Sequence, residues 1–429
     1  MITIVPILFL FAAGHASAAK PSAAAPSSSD NVIRFYEWRV QRDPDDFFNY
    51  DKLGVAYIAK GRETGDALYY DLAEKALKKS LELEGTHREA VSATAHLASV
   101  YLAEHRFQDA LAYARKSLTF NTGDLSPYAT IGDALLESGE YDEAARAYSR
   151  LQPDDSPTPR PAPAYLKETR SSNLEFIRGN LPQSIRHMRN AVALAANAQM
   201  SPESVAWTQF TLGEECFQAG DLNCAEAANE DALRTYPRYH RALAGLAKVR
   251  AAQRRFGDAI SLYQQALGVI PLPAYAAALG DIYAKLDRRT DARKQFDLVE
   301  TVAYLSALNR SVYNRDLVMF YVDHNVKLSE ALAMAAKELA VRHDIYTWDC
   351  YAWTLFKNGK MTEAANAMER ALSQGTVDAM LFFHAGMIYA TLGDSGNARR
   401  YLGRALSINP EFHVLYAKLA ADTLAHLPE

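Results

Sequence analysis

The stretch LFFHAGMIYATLGDSGNARRYLGRALSINP, residues 381–410, decides the fold. Phe382, Ala385, Gly386 and Tyr389 recur at i, i+3, i+4 and i+7, which is one face of a helix. Gly393-Asp394 reads as the turn that ends it. Ala398, Leu402 and Ala405 form a facing stripe on a second helix, which Pro410 stops. Small residues on two facing stripes let the helices cross closely. The alanine that opens the second helix has counterparts along the whole chain: Ala73, Ala110, Ala144, Ser184, Ala225, Ala259, Ala292, Ala331, Ala364 and Ala398. They step by 37, 34, 40, 41, 34, 33, 39, 33 and 34 residues. A period of about 34 residues is one helix–turn–helix unit, and such units bury their apolar faces only by stacking.

This pattern resembles the tetratricopeptide repeat (TPR), and the resemblance recurs. Leu97, Ala98, Tyr101 and Ala110 fit a second unit, and Tyr128, Ile131, Gly132, Gly139, Ala144 and Tyr148 a third. Leu212, Gly213, Gly220, Ala225, Ala232 and Pro237 fit the fifth, with Cys216 at the usual tyrosine position. Leu279, Gly280, Tyr283, Ala292 and Phe296 fit the seventh; Trp348, Ala352, Gly359, Ala364 and Ala371 fit the ninth. The first unit keeps Gly54, Tyr57 and Ala73 around an insertion, GRETGDALYYDL. The fourth carries Glu168, Ser171, Ser172 and Glu175 at pattern positions, and the eighth Met319 and Val322. The resemblance implies an all-α fold, a right-handed α-solenoid of about ten helix pairs with a C-terminal capping helix at 412–429. The proline-rich stretch QPDDSPTPRPAPA, 152–164, reads as an extended loop dividing an N-terminal segment, 31–151, from a C-terminal array, 165–411.

Residues 2–13, ITIVPILFLFAA, are apolar and too short to favour a membrane span, and Ala16 and Ala18 have signal-peptidase spacing. Although no Lys or Arg precedes the run, residues 1–18 read as a signal peptide and 19–30 as a disordered linker. The chain is therefore expected in the periplasm or outside the cell. No other apolar stretch could span a bilayer, so no stable membrane insertion is expected. The net charge of −5 and the lack of a Lys/Arg block exclude a nucleic-acid footprint. Three cysteines are too few for a disulfide framework. Cys216 and Cys224 lie in successive helices of one unit, but their expected orientations favour free thiols.

No Walker loop, GxSxG, HExxH or dinucleotide fingerprint occurs, so no enzyme, cofactor or metal role is expected. Neither His87 with His96 nor His324 with His343 shares a helical face, so the histidines read as solvent-facing or hydrogen-bonded. The resemblance implies a binding groove lined by residues 18, 15, 11 and 8 positions before each conserved alanine. Those residues are Trp207, Phe210, Glu214 and Phe217 in the fifth unit, and Tyr313, Asp316, Phe320 and Asp323 in the eighth. Tyr346, Asp349, Trp353 and Phe356 follow in the ninth, then Met380, Phe383 and Met387 in the tenth. Aromatic rings interspersed with carboxylates suit a protein or peptide partner. On that expectation, Asp349→Ala and Trp353→Ala would weaken capture without loss of helicity. A small cationic or sugar-like ligand is the alternative occupant. Asn173, Arg241 and Lys248 are the groups comparable to a carboxylate clamp, and they do not lie on adjacent repeats.

Overall fold

Helix boundaries follow the period. The computed structural model describes residues 28–84, 91–121, 123–151, 161–308 and 315–428, and among them are twenty-two helices and no strand. The expected signal peptide at 1–18, most of the linker at 19–30, residues 152–160 and Tyr313 lie outside the described residues. Many helices start on an acidic or hydroxyl side chain: Asp46, Ser201, Asp221, Asp344, Asp378 and Asp394 accept hydrogen bonds from first-turn N–H groups.

The chain forms two compact units, Met1–Ile131 with Tyr304–Val312, and Gly132–Ala303 with Tyr313–Glu429. The first holds α1 (Ser28–Arg42), α2 (Phe47–Thr64), α3 (Leu68–Glu84), α4 (Val91–Ala103) and α5 (Phe107–Phe120). Helix α1 starts inside the expected linker and packs on α2. There the Ser29 hydroxyl donates to Glu63 at 2.6 Å, Lys60 pairs with Asp30 at 2.7 Å and Tyr57 donates to Glu37 at 2.8 Å.

The division at Gly132 falls within α6 (Pro127–Glu137), not at the proline-rich stretch. Asp133 supplies the reason. It accepts from Tyr148 at 2.8 Å in α7 (Tyr141–Tyr148), and from Arg170 at 2.8 Å in α8 (Pro161–Ile177). These bonds tie the two sides of the prolines into one body. Helix α8 also corrects the loop expected to end at 164, because it begins at Pro161; proline is tolerated in a first turn.

The second unit continues with α9 (Leu181–Asn197), α10 (Pro202–Gln218), α11 (Leu222–Thr235), α12 (His240–Ala252) and α13 (Phe256–Leu267). Next come α14 (Pro273–Lys285), α15 (Arg289–Leu308), which belongs to this unit as far as Ala303, α16 (Arg315–Asp323), α17 (Leu328–Leu339) and α18 (Ile345–Lys357). It ends with α19 (Met361–Ala371), α20 (Ala379–Thr391), α21 (Ser395–Ile408) and the capping helix α22 (Tyr416–His426). Within pairs, Gly132, Gly213, Gly280 and Gly386 each face the residue sixteen positions on: Tyr148, Asn229, Phe296 and Leu402. A Cβ at Gly386 would stand 2.6 Å from Leu402 Cγ, so the crossing needs glycine.

The second unit also closes on itself. The His343 N–H donates to the Glu137 carbonyl at 3.0 Å, the Ile345 N–H donates to the Tyr141 hydroxyl at 2.8 Å, and Arg342 pairs with Glu137. One repeat further, the Thr376 hydroxyl donates to the Ile177 carbonyl. One further again, the Asn409 amide donates to the Phe217 carbonyl at 3.4 Å. The turns after α6, α8 and α10 therefore seat against backbone about two hundred residues later.

Candidate functional site

The structure divides the expected groove stripe between the core and a half-buried margin. Phe217, Phe320, Trp353 and Phe383 are buried. Trp207, Phe210, Tyr346, Phe356, Met380 and Met387 are half-buried, and Asp316 is exposed. Trp207 and Phe210 pack around Tyr239 with Ala206, Ala232 and Ala242. The stripe carboxylates are engaged as well. Glu214 pairs with Lys248 at 2.9 Å, Asp323 accepts from the Trp353 indole at 2.8 Å, and Asp349 meets His384 Nδ1 at 2.9 Å. The Tyr346 hydroxyl donates to Asp378 at 3.3 Å.

The chain's own C-terminus covers this stripe. Phe412, Tyr416, Ala417 and Ala420 share one apolar cluster with Phe320, Trp353 and Phe383. Phe383 stacks on Tyr416 with ring centroids 4.8 Å apart, and Trp353 is stacked between His384 at 4.3 Å and Phe356 at 4.8 Å. Trp353 and Asp349 are thus packing and pairing groups. Their replacement would cut the core, which corrects the expectation that they probe capture alone.

A line of histidines and carboxylates runs beneath the rings. His324 Nε2 meets Asp281 at 2.9 Å, and His413 Nε2 approaches the same carboxylate at 3.8 Å. Burial opposes charge on His384, but Asp349, with Asp323 and Asp378, outweighs it and holds the imidazole above its ordinary value. Burial wins at His413, which sits below its ordinary value despite Asp281 and Asp323. The same-face spacing rule missed these groups because each partner lies on a different repeat. Asp281 and His384 carry a signal only when repeats are aligned: Asp281 occupies a stripe position of the seventh unit, and His384 directly follows one in the tenth.

Among the described residues no group of three or more His, Cys, Asp or Glu side chains is placed to hold a metal. No described helix is long and apolar enough to cross a membrane. Cys216 and Cys224 form a disulfide, against the expectation of free thiols, because the short turn between α10 and α11 brings their Cα atoms to 5.7 Å. Cys350 is buried and takes no part in that disulfide. A cavity of about 240 Å³ opens beside the covered stripe, between α12–α14 and residues 411–414. Phe217, Lys248, Ala251 and Asp281, all stripe positions, line it.

Three family models, each described as a tetratricopeptide repeat, match residues 101–165, 210–277 and 381–412. Solved structures similar to this chain include the APC/C hetero-tetramer Cut9–Hcn1, at 14% identity, over 94% of this chain and 93% of that one, with a TM-score of 0.34. A tetratricopeptide repeat protein from Parabacteroides merdae is 17% identical over 61% of this chain and 98% of its own, with a TM-score of 0.34. Yeast Tom70 is 12% identical over 87% and 96% respectively, with a TM-score of 0.34.

Proposed function

We propose that this array of tetratricopeptide repeats is a non-catalytic scaffold that holds a protein partner along its stripe, in an exported setting such as an envelope assembly. One observation carries the proposal: the stripe already holds a polypeptide, the chain's own C-terminal segment, through ring stacking and a shared apolar cluster. A face that accepts an aromatic-bearing helix of its own chain has the chemistry to accept another. Half-buried Trp207, Phe210, Met380 and Met387 and exposed Asp316 are the described stripe members left to meet it. Export is supported by the apolar run at 2–13 and by the Cys216–Cys224 pairing, since disulfides persist in oxidising compartments. The alternative of a small cationic or sugar-like ligand is weakened because Glu214, Asp323 and Asp349 all bind groups of their own chain.

A photo-crosslinking residue placed at Asp316 in the native host should trap a protein partner. The same probe at Glu369, exposed on α19, should trap none. Equal trapping at both positions, or none at Asp316, would count against the stripe as the binding face. N-terminal sequencing of the mature chain should begin at Ala19; a chain that retains Met1 would refute cleaved export.

A further inference from the structure

The cavity beside the stripe has walls of two kinds. Phe217, Ala252, Tyr263, Ile282 and Phe412 make an apolar interior. Lys248, Arg254 and Lys285 bring positive charge, Asp281 and Glu411 negative charge, and His413 an imidazole. Most of these charges are already answered. Lys248 pairs with Glu214 at 2.9 Å and lies 4.3 Å over the Phe217 ring, while Asp281 is held by His324 at 2.9 Å. The side chains of exposed Arg254 and half-buried Lys285 have no ion pair or hydrogen bond among the described residues, and neither does the Glu411 carboxylate. Two unanswered cations against one unanswered carboxylate leave a surplus of one positive charge.

Tyr263 adds an independent observation. The residue is only 7% exposed, yet its hydroxyl has no hydrogen-bond partner among the described residues. The hydroxyl oxygen itself is not sealed away and stands open to the cavity as an available donor. Here the group lines a cavity whose rim is cationic.

We propose that this cavity binds a small organic monocarboxylate, with its apolar body among Phe217, Tyr263 and Phe412 and its carboxylate toward Arg254 and Lys285. A planar carboxylate matches the fork of an arginine and accepts from a phenol. The surplus of one positive charge fits a monoanion, whereas a phosphate monoester would leave net negative charge in the site. The volume suits a ligand smaller than a drug-sized molecule. Because residues 411–414 form one wall, such a ligand would also fasten the segment that covers the stripe. The proposal goes beyond the scaffold function and requires no protein partner.

Titration calorimetry of the full chain with 3-phenylpropionate and hexanoate tests it, with phenethylamine and phenyl phosphate as controls. Saturable binding of a carboxylate, with slowed amide exchange at 409–416, is the expected result. Arg254→Gln with Lys285→Gln should weaken binding at least about tenfold, as expected for loss of charge-assisted bonds. Tyr263→Phe, which preserves the ring, should weaken it several-fold while circular dichroism stays unchanged. Absence of saturable binding by either carboxylate at millimolar concentration would overturn the proposal. So would equal affinity for phenethylamine or phenyl phosphate, or undiminished binding in the folded double variant.

Discussion

Glu215 shows how much one side chain can set. It is 6% exposed in α10, and its Oε1 accepts from the Ser172 hydroxyl at 2.6 Å. Burial pushes its carboxyl up to about 7, over the opposing hydrogen bonds from Ser172 and Ser184. The folded chain therefore holds this proton more firmly than the unfolded chain does. Its stabilising contribution is full below about pH 4.5 and is lost as pH rises through about 7. Glu215→Gln should remove that slope and raise stability above pH 7 by on the order of 1–3 kcal/mol. Urea unfolding at about pH 5 and about pH 8 measures it; an identical slope in the variant would contradict the assignment. The crossing residues were legible at this scale because Gly132, Gly213, Gly280 and Gly386 sit at one fixed offset before Ala144, Ala225, Ala292 and Ala398. Glu215 was not, since only the neighbouring repeat's Ser172 and Ser184 make its site buried and polar.

At the scale of the element, α22 does more than cap the array. Tyr416 is 9% exposed, stacks on Phe383 and neighbours His413 at 4.6 Å. Tyr416→Ala should cost roughly 3–5 kcal/mol, as large aromatic truncations in cores do. It should also redden Trp353 emission and raise binding of a hydrophobic dye. A chain ending at Leu415 that binds no more dye than the full chain would show that α22 does not shield the stripe. The sequence HVLYAKLAADTLAHL was readable as a final helix. Which face it covers was not, because that choice rests on side chains of several other repeats, Phe320, Trp353 and Phe383. Turns show a similar limit. Gly139, Gly179, Gly220, Gly359 and Gly393 have positive φ as the pattern implies, but His105, Arg254, Asp287 and Asn325 adopt it at equivalent turns. No glycine marks those places, so only the period finds them.

For the larger unit as a whole, the contacts between distant repeats change what one substitution does. Gly220 has φ 77°, and an added Cβ would overlap the Ile408 carbonyl; Gly359 has φ 78° with nothing within 4 Å. Gly359→Ala should cost about 1–2 kcal/mol for backbone strain alone. Gly220→Ala should cost more and, in hydrogen exchange, loosen the α10–α11 turn together with residues 408–416. Loosening confined to the neighbourhood of 220 would mean that the distant contact contributes little. The period made the stack readable, but a period is local and carries no record of where the chain returns. That return has a consequence in time. Glu137, Ile177 and Phe217 each wait for backbone on the order of 200 residues downstream, which a ribosome supplies at about 5–20 residues per second. For roughly 10–40 s of synthesis, the first-made repeats of this unit stand without the strand of chain that completes them.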